Sequence, residues 1–510
     1  SEKRKVALFS TNFCPYSQTF VYDEVTHHER YIADVYTINR MNADRFPYDR
    51  VFEFDNSLIG SIEKNFYRIF LYSPFRQYQL KRGNYDLIAA HFGPGSLYTM
   101  QFANATNLPL VTTFHGYDVP LLMTARRFHP QFWRYWYFSR WMLNRVDRFL
   151  AASDELHDLL VELGAPPEKV KTWCLGVKIP ALDAPPQRTG KNLIQCGRFV
   201  EKKGFIDTLQ AFANVREYYA QNGRTFDLHL SLIGDGPLLP LCRRYVERND
   251  LSNNVSFLGA IPQDALFERI TQSDILLCPS VIARNGDRES GILVAKEAGA
   301  RFVPVIGTRH GGIPSIIDDG KTGFLVDERS PAQIAQKIIQ LLENDELRRN
   351  MGIAARHKIS TEYDLQQRIR VLETHYDEVI DEKRAKRTND NIYTTSGRPI
   401  SRVALNTGSF DALLPVGQYG LWLRLCAHCV ARIRLRYRPI SRVALNTGSP
   451  FLPVCASTAS ASPRGRRERT KVRPLALGLA SLYLIKLTKN ELCRPISRVA
   501  LNTGSFDALL

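Results

Sequence analysis

The chain has 510 residues, 44% apolar and 23% charged, which excludes a largely disordered, collagen-like or disulfide-stapled protein. Its formal charge of +17 suggests a nucleic-acid partner until the charge is located. Residues 391–510 carry 18 basic and 4 acidic side chains, leaving 50 and 47 in the first 390, so the basicity belongs to the tail and no nucleic-acid partner is expected.

The opening Ser1-Glu-Lys-Arg-Lys runs straight into Val6-Ala7-Leu8-Phe9, a buried strand rather than a cleavable leader. No run reaches the roughly 18 to 20 apolar residues that a membrane span requires. The longest, 475–485, is short and lies between Arg473 and Lys486. The nine cysteines are scattered, Cys14 and Cys174 being the first two, so no disulfide framework is visible. A cytoplasmic protein is the expectation.

Strand-like apolar runs follow at 6–10, 87–90, 110–114 and 148–152, separated by helix-length amphipathic stretches. The same style returns at 193–196, 228–233, 255–257, 275–278 and 303–306. Strands alternating with helices predict βαβ units and parallel sheets. The fold class is therefore α/β, with Rossmann-like domains at 1–177 and 192–360. The linker, 178–191, contains Pro180, Pro185 and Pro186 and suits an exposed connector.

After Pro331 the apolar spacing turns helical, through Ile334, Ile338, Ile339, Leu341 and Leu342 and again over 365–380. A final helix, 361–385, is expected to return towards the first domain, and order to end at the charge run 381–387. The remainder, 386–510, reads differently. One 12-residue sequence, Arg-Pro-Ile-Ser-Arg-Val-Ala-Leu-Asn-Thr-Gly-Ser, occurs identically at 398–409, 438–449 and 494–505. Spacings of 40 and 56 residues do not fit a stacked solenoid. Perfect identity is also unlike a repeat whose copies occupy different packing environments. This segment is expected to be a disordered, low-information extension resembling translated repetitive DNA. Its lone Cys426-Ala-His-Cys429 is a weak zinc motif.

The densest chemical signal is Arg288-Glu289-Ser290-Gly291-Ile292-Leu293-Val-Ala-Lys-Glu297, after the strand at 275–278. Ser290-Gly291 suits a helix opening, whose N–H groups and dipole bind phosphate, and Gly291 would admit a diphosphate close to the backbone. On one helix, Glu289 and Glu297 would stand roughly 12 Å apart, comparable with the sugar-to-ribose span of a nucleotide-sugar. A second signal is Gly197-Arg198-Phe-Val-Glu-Lys-Lys203-Gly204, a strand-to-helix turn at a carboxyl sheet edge. Its Arg198 and Lys203 are candidate cations for a departing diphosphate. Gly234-Asp-Gly236-Pro closes one strand, and Gly311-Gly312-Ile-Pro through Gly320-Lys-Thr-Gly323-Phe-Leu-Val ends the series.

In this order the motifs resemble the family 4 retaining glycosyltransferases of GT-B fold over about residues 5–380. In the first half, Asn12-Phe-Cys-Pro-Tyr-Ser17-Gln18-Thr19-Phe20, Ala90-His91-Phe-Gly-Pro94 and Phe114-His115-Gly116-Tyr-Asp118 are similar to the exopolysaccharide and colanic-acid subgroup. Gln18 stands where that subgroup has glutamate.

The resemblance implies two Rossmann-like domains facing across a cleft, and transfer with retention from a nucleoside-diphosphate sugar without a metal or other cofactor. It implies His115 facing the donor sugar, Arg198 and Lys203 on the diphosphate, Glu289 on sugar hydroxyls and Glu297 on the ribose. Gly234, Gly236 and the backbone of Ser290, Gly291, Ile292 and Leu293 would contact the donor. Ser17, Gln18, Thr19 and Asp118 would form the acceptor-side loop. The implied acceptor is a glycan or lipid-linked precursor at the inner face of the cytoplasmic membrane. Alternating aromatics and arginines between Phe132 and Leu143 suit peripheral lipid contact. A nucleotide-sugar epimerase on the same fold and an inactive glycan-binding relative are the alternatives.

Overall fold

The computed structural model describes residues 2–15, 18–129 and 132–395, with side chains to 388. The repeated tail, including Cys426 and Cys429, lies outside the described residues. Seven parallel strands form the first sheet: β1 (Arg4–Phe13), β2 (Tyr31–Arg40), β3 (Val51–Phe52), β4 (Leu87–His91), β5 (Leu110–Phe114), β6 (Arg148–Ala151) and β7 (Val170–Thr172). Their spatial order is β3-β2-β1-β4-β5-β6-β7. Six more form the second: β8 (Asn192–Cys196), β9 (His229–Ile233), β10 (Val255–Gly259), β11 (Ile275–Cys278), β12 (Val305–Thr308) and β13 (Gly323–Val326). They run β10-β9-β8-β11-β12-β13, the same winding, and all pairs are parallel.

Helices cover both faces of each sheet, which is why most strands read as unbroken apolar runs. The ten-residue β2 escapes that rule. Asp34 interrupts its apolar run, yet the carboxylate is buried, paired with Arg50 at 2.5 Å and accepting the Tyr85 hydroxyl at 2.6 Å. The short β3 and β7 offer too few residues for a pattern, and β13 is embedded in a glycine motif.

In both sheets the chain order reverses beside the first strand, between β1 and β4 and between β8 and β11. Such reversal points leave a crevice at the carboxyl ends of the strands. The loops after β8 and β11 carry Lys203 and Glu289, and those after β1 and β4 lead to Thr19 and Phe92.

The last helix differs from expectation at both ends. It spans Leu365–Thr395, so the charged residues 381–387 lie within it rather than ending order. Leu365, Ile369, Leu372, Tyr376, Val379 and Ile380 share one face, which packs into the first half's core beside Val6, Leu8 and Trp173. Glu373, wholly buried, accepts the backbone N–H groups of Glu29 and Arg30 at 2.8 and 2.9 Å. Farther along, Arg148 of β6 pairs with Glu378 and Glu382. The charge run is thus continued by pairing with the first half.

Candidate active site

The turn after β8 brings Lys203 to the site. Residues Glu201–Lys203 form one tight 3-10 turn, and Gly204 then takes a left-handed φ of 65°. A side chain at Gly204 would collide with the carbonyl oxygen of Pro279, so the turn lies directly against the end of β11. Across that contact the Lys203 ammonium reaches Glu289 Oε2 at 2.9 Å, and Lys202 reaches Oε1 at 3.2 Å. Lys202 also bonds Asp287 at 3.2 Å. Burial pushes the Glu289 carboxyl up, but Lys203 and Lys202 outweigh it and hold the group at about 2. Lys202 and Asp287 were not among the expected site residues. Lys202 was beside Lys203 in the motif, but only the fold aims both lysines at one carboxylate.

Glu289 is not on the helix. That helix begins at Leu293, spans Leu293–Gly299 and is capped by Ile292 without a side-chain hydrogen bond. Ser290 and Gly291 therefore belong to the preceding loop, and the 12 Å helical spacing of the two glutamates does not apply. Glu297 does lie on the helix. Burial pushes its carboxyl up to about 7, with Arg301 opposing and Asp23 of the first half reinforcing. The two carboxylates thus sit in opposite electrostatic settings, one held ionised and one poised near neutrality.

The glycine motifs form the floor. Side chains at Gly311 and Gly312 would collide with the carbonyl oxygens of Glu289 and Ser290. The Glu289 N–H donates to Nε2 of buried His310 at 3.0 Å, so Nδ1 carries the ring proton and donates to Glu328 at 2.6 Å. Glu328 Oε2 also accepts the Ile282 N–H, bracing the same loop at its start. Gly234 and Gly236 play a related part. Added side chains there would strike the backbone of Gly197 and Phe199, while N–H groups of those two residues donate to Ile233 and Asp235 at 2.9 and 2.8 Å. These two glycines let neighbouring loops pack together around Arg198, which is exposed.

The first half closes over this loop. Ser153 and Ser290 hydroxyls lie 2.9 Å apart, and Arg288 bonds Glu155 at 2.6 Å. A side chain at Gly116 would come within 3.2 Å of the Ser290 Cβ. Next to Gly116, His115 is stacked on His91 and flanked by the tilted rings of Phe20 and Phe92. Burial, then His91, lowers its pKa well below the usual imidazole value, and its Nδ1 has no hydrogen-bond partner.

Asp118 is a correction. It is fully buried, and its carboxylate accepts the N–H groups of Gly93 at 3.1 Å and Gly116 at 3.0 Å. It braces two loops rather than presenting itself to an acceptor. Thr19 opens the helix Thr19–His27, Gln18 caps it without a side-chain bond, and Ser17 lies outside the described residues.

A cleft between two doubly wound halves, lined by a lysine–glutamate constellation and a histidine wall, is the architecture of a GT-B glycosyltransferase. The family model for Glycosyltransferase Family 4 matches residues 18–179, and that for Glycosyl transferases group 1 matches residues 183–358, together about two thirds of the chain. The chain belongs to the family 4 glycosyltransferases. It is 27% identical over 291 residues to the colanic acid biosynthesis glycosyltransferase WcaL of Escherichia coli, covering 56% of this chain and 68% of WcaL. It is 28% identical to N-acetyl-alpha-D-glucosaminyl L-malate synthase of Bacillus anthracis, over 65% of this chain and 87% of the synthase. In fold it is similar to Anabaena HepE in complex with UDP, at a TM-score of 0.57 and 17% identity, covering 74% of this chain and all of HepE.

Proposed function

We propose that the protein transfers a sugar, with retention, from a nucleoside-diphosphate sugar to a glycan or lipid-linked polysaccharide precursor. The observation that carries this reading is the Lys203–Glu289 pair beneath a loop that touches the opposite wall of the cleft. Lys203 neutralises charge on the departing diphosphate, with Arg198 of the same turn as a second cation, and no metal is required for that role. A buried, pre-aligned cation stabilises developing phosphate charge without reorganisation. Glu289, kept ionised, accepts hydroxyls of the donor sugar. The backbone N–H groups of 291–293 face the diphosphate. Proton transfer from the acceptor hydroxyl to the leaving phosphate oxygen, on the same face, is the mechanism these roles serve.

Glu297 binds the ribose diol in this reading, and its titration gives the binding a pH signature. An ionised carboxylate accepts both hydroxyls, whereas the acid keeps less accepting capacity. With its group at about 7, nucleotide affinity should rise between pH 6 and pH 8. Calorimetry with UDP and GDP should show several-fold tighter binding at the higher pH. Glu297→Gln should flatten that dependence; an unchanged pH profile would remove Glu297 from the ribose site. In the same preparation, UDP-glucose, UDP-N-acetylglucosamine and GDP-mannose are tested as donors, with the product anomer read by NMR. Inverted product overturns retention, and an epimerised donor formed without any acceptor overturns transfer.

The similarity to WcaL, named for colanic acid biosynthesis, supports a polysaccharide-precursor acceptor. No described helix is long and apolar enough to cross a membrane. A surface contact has better support. Of fifteen exposed large apolar side chains among the described residues, twelve lie between Leu58 and Trp141. The helix Trp133–Arg145 buries Tyr135, Met142 and Leu143 but exposes Trp133 and Tyr137 by 50% and 67%. Arg134 ties it to the end of the helix Leu58–Phe70 through the carbonyls of Arg68 and Ile69. Lys64, Arg68 and Arg134 have no ion-pairing carboxylate among the described residues. Cations beside exposed aromatics complement an anionic leaflet. Sedimentation with phosphatidylglycerol vesicles at low salt should therefore retain the protein. Trp133→Ser with Tyr137→Ser should weaken this about tenfold, and equal recovery with neutral vesicles would defeat the idea.

A further inference from the structure

The first half holds a buried cation that no carboxylate pairs. Arg76, in the helix Pro74–Arg82, is 3% exposed. Its Nη2 donates to the carbonyl of Thr37 at 2.5 Å. The guanidinium lies 3.9 Å from the centre of the Phe54 ring, with the rings of Tyr67 and Tyr36 at 5.1 and 5.9 Å. Every one of those partners is neutral. Glu63, the acidic group that acts on it, bonds Ser73 instead and lies outside ion-pair distance. Ring faces attract a cation but leave its charge uncompensated, and a buried charge without a counter-ion is costly.

Arg76 forms one wall of a pocket with Thr11, Ile38, Tyr67, Gly95 and Tyr98, of about 190 Å³ together with its open mouth. The pocket straddles the reversal point of the first sheet. Thr11 is near the end of β1, and Gly95 is in the first turn of the helix Gly93–Thr106, which follows β4. That helix starts without a side-chain cap. A carbon added at Gly95 would meet only Phe9 O and Thr11 Oγ1, each at 3.9 Å, so the space beside the glycine is open. His91, at the end of β4, is 2.9 Å from His115, which puts the pocket one loop away from the histidine wall of the cleft.

Other cations converge on the same place. Arg68 donates to Asn39 at 3.3 Å, and Lys64 feels the charge of both Arg68 and Arg76. Arg68 and Arg134 both act on Tyr98, in the pocket wall. Glu53 and Glu63 answer this charge from a distance, but none of the four cations has an ion-pairing carboxylate among the described residues. Like charges held together in this way repel one another until an anion enters.

We infer that this pocket is an oxyanion subsite in which Arg76 holds a phosphate or carboxylate group of the acceptor. A guanidinium presents its N–H groups in pairs that match two oxygens of either group, and the open helix start adds its dipole. The space lies mostly in the mouth, so a head group enters while the rest of the ligand stays outside. That the anion belongs to the acceptor rests on the transfer reading; the subsite itself does not.

Two arms of one experiment separate them. In the first, the full chain is held with UDP, so that the anion does not report on the turn at Lys203. Arginine Nε–H signals are then followed while inorganic phosphate or malonate is added, against chloride of equal ionic strength. Arg76 is assigned by the signal lost in Arg76→Lys. The expected result is a saturable shift of that signal with phosphate or malonate and none with chloride, the stronger of the two naming the group. No shift, or one that chloride reproduces, overturns the subsite. Gly95→Val puts a side chain into the pocket without altering the cation and should weaken the response about tenfold. An unchanged response in that variant also overturns the subsite. If Arg76→Lys does not fold, the anion-responsive signal that Gly95→Val silences takes its place, and finding no such signal overturns the subsite.

The second arm compares undecyl glucoside with its anionic counterpart, undecyl glucosyl phosphate or undecyl glucuronide, whichever carries the preferred anion. Release of nucleoside diphosphate is read with UDP-glucose, UDP-N-acetylglucosamine and GDP-mannose. The anionic acceptor should have a KM about tenfold lower, and Gly95→Val should erase that advantage. Equal KM values overturn the assignment of the anion to the acceptor. Absence of turnover with both acceptors counts against the proposed function, and the anion titration then decides the subsite alone.

Discussion

Lys203→Ala is expected to lower kcat by about a hundred- to a thousand-fold, the range for removing one aligned charge-stabilising group from an active site. The lysine stands 2.9 Å from Glu289 and is the larger of the two charges holding that carboxyl ionised. Its loss leaves Glu289 with Lys202 alone, at 3.2 Å. On the proposed reading two functions are removed together, stabilisation of the leaving diphosphate and orientation of the carboxylate. Lys203→Arg keeps the charge but changes the reach, and should recover only part of the rate.

The same variant carries a stability signature. Glu289 is held at about 2 in the folded protein against an ordinary 4.5. A depressed carboxyl contributes stability that is present above about pH 4.5 and lost as pH falls towards 2. That contribution is on the order of 3 kcal/mol, and Lys203→Ala should forfeit part of it at neutral pH. Melting curves at pH 4 and pH 7 would read it: the variant's deficit should be larger at pH 7. A rate within about threefold of wild type would remove Lys203 from the chemistry.

Gly311→Ala should damage both stability and activity, and neighbouring glycines separate the causes. Gly311 has φ of +56°, and a side chain there would strike the Glu289 carbonyl. Left-handed backbone costs an ordinary residue about 1–2 kcal/mol, and forced overpacking adds about 1–3. The melting temperature should fall on the order of 5–10 °C, with a rate loss because the strained contact is the Glu289 loop itself. Gly320→Ala is the control for backbone strain alone. Its φ is +78° but nothing lies within 4 Å of the added carbon, so it should lose a little stability and keep its rate. Gly312→Ala isolates the collision, here with the Ser290 carbonyl. If Gly311→Ala and Gly320→Ala behave alike, the floor does not position Glu289.

Much of the fold was legible because its signals are local. Runs such as Leu110–Phe114 are apolar at every position, as a strand covered on both faces must be. The turn glycines announced themselves where the chain passes close to other backbone, at Gly204 and Gly311 among others. The strand Tyr31–Arg40 was harder to read, since Asp34 breaks the pattern and its partners Arg50 and Tyr85 reach it only in the folded chain. The final helix extends beyond its expected end for a related reason. Its charges resemble a solvated end until Arg148 supplies partners for Glu378 and Glu382.

The candidate site divides in the same way. Lys203, Glu289 and Glu297 stood out by residue type and motif, but the supporting groups did not. Lys202 looked like any basic residue, and His310 and Glu328 belonged to separate loops. The family resemblance places Asp118 on the acceptor-side loop, whereas its carboxylate turns inward to Gly93 and Gly116.

By itself, then, the sequence determined a pair of doubly wound halves and the residue types brought to the crevice, because apolar periodicity and glycine turns act over a few neighbouring positions. Only the tertiary structure decided that Glu289 precedes its helix, that one glutamate is held ionised while the other is poised near neutrality, and which atom of His115 is left unpaired. Those properties depend on charges and hydrogen-bond partners that lie far away along the chain, 86 residues for Lys203 and Glu289, and they exist only once folding has brought the groups within a few ångströms.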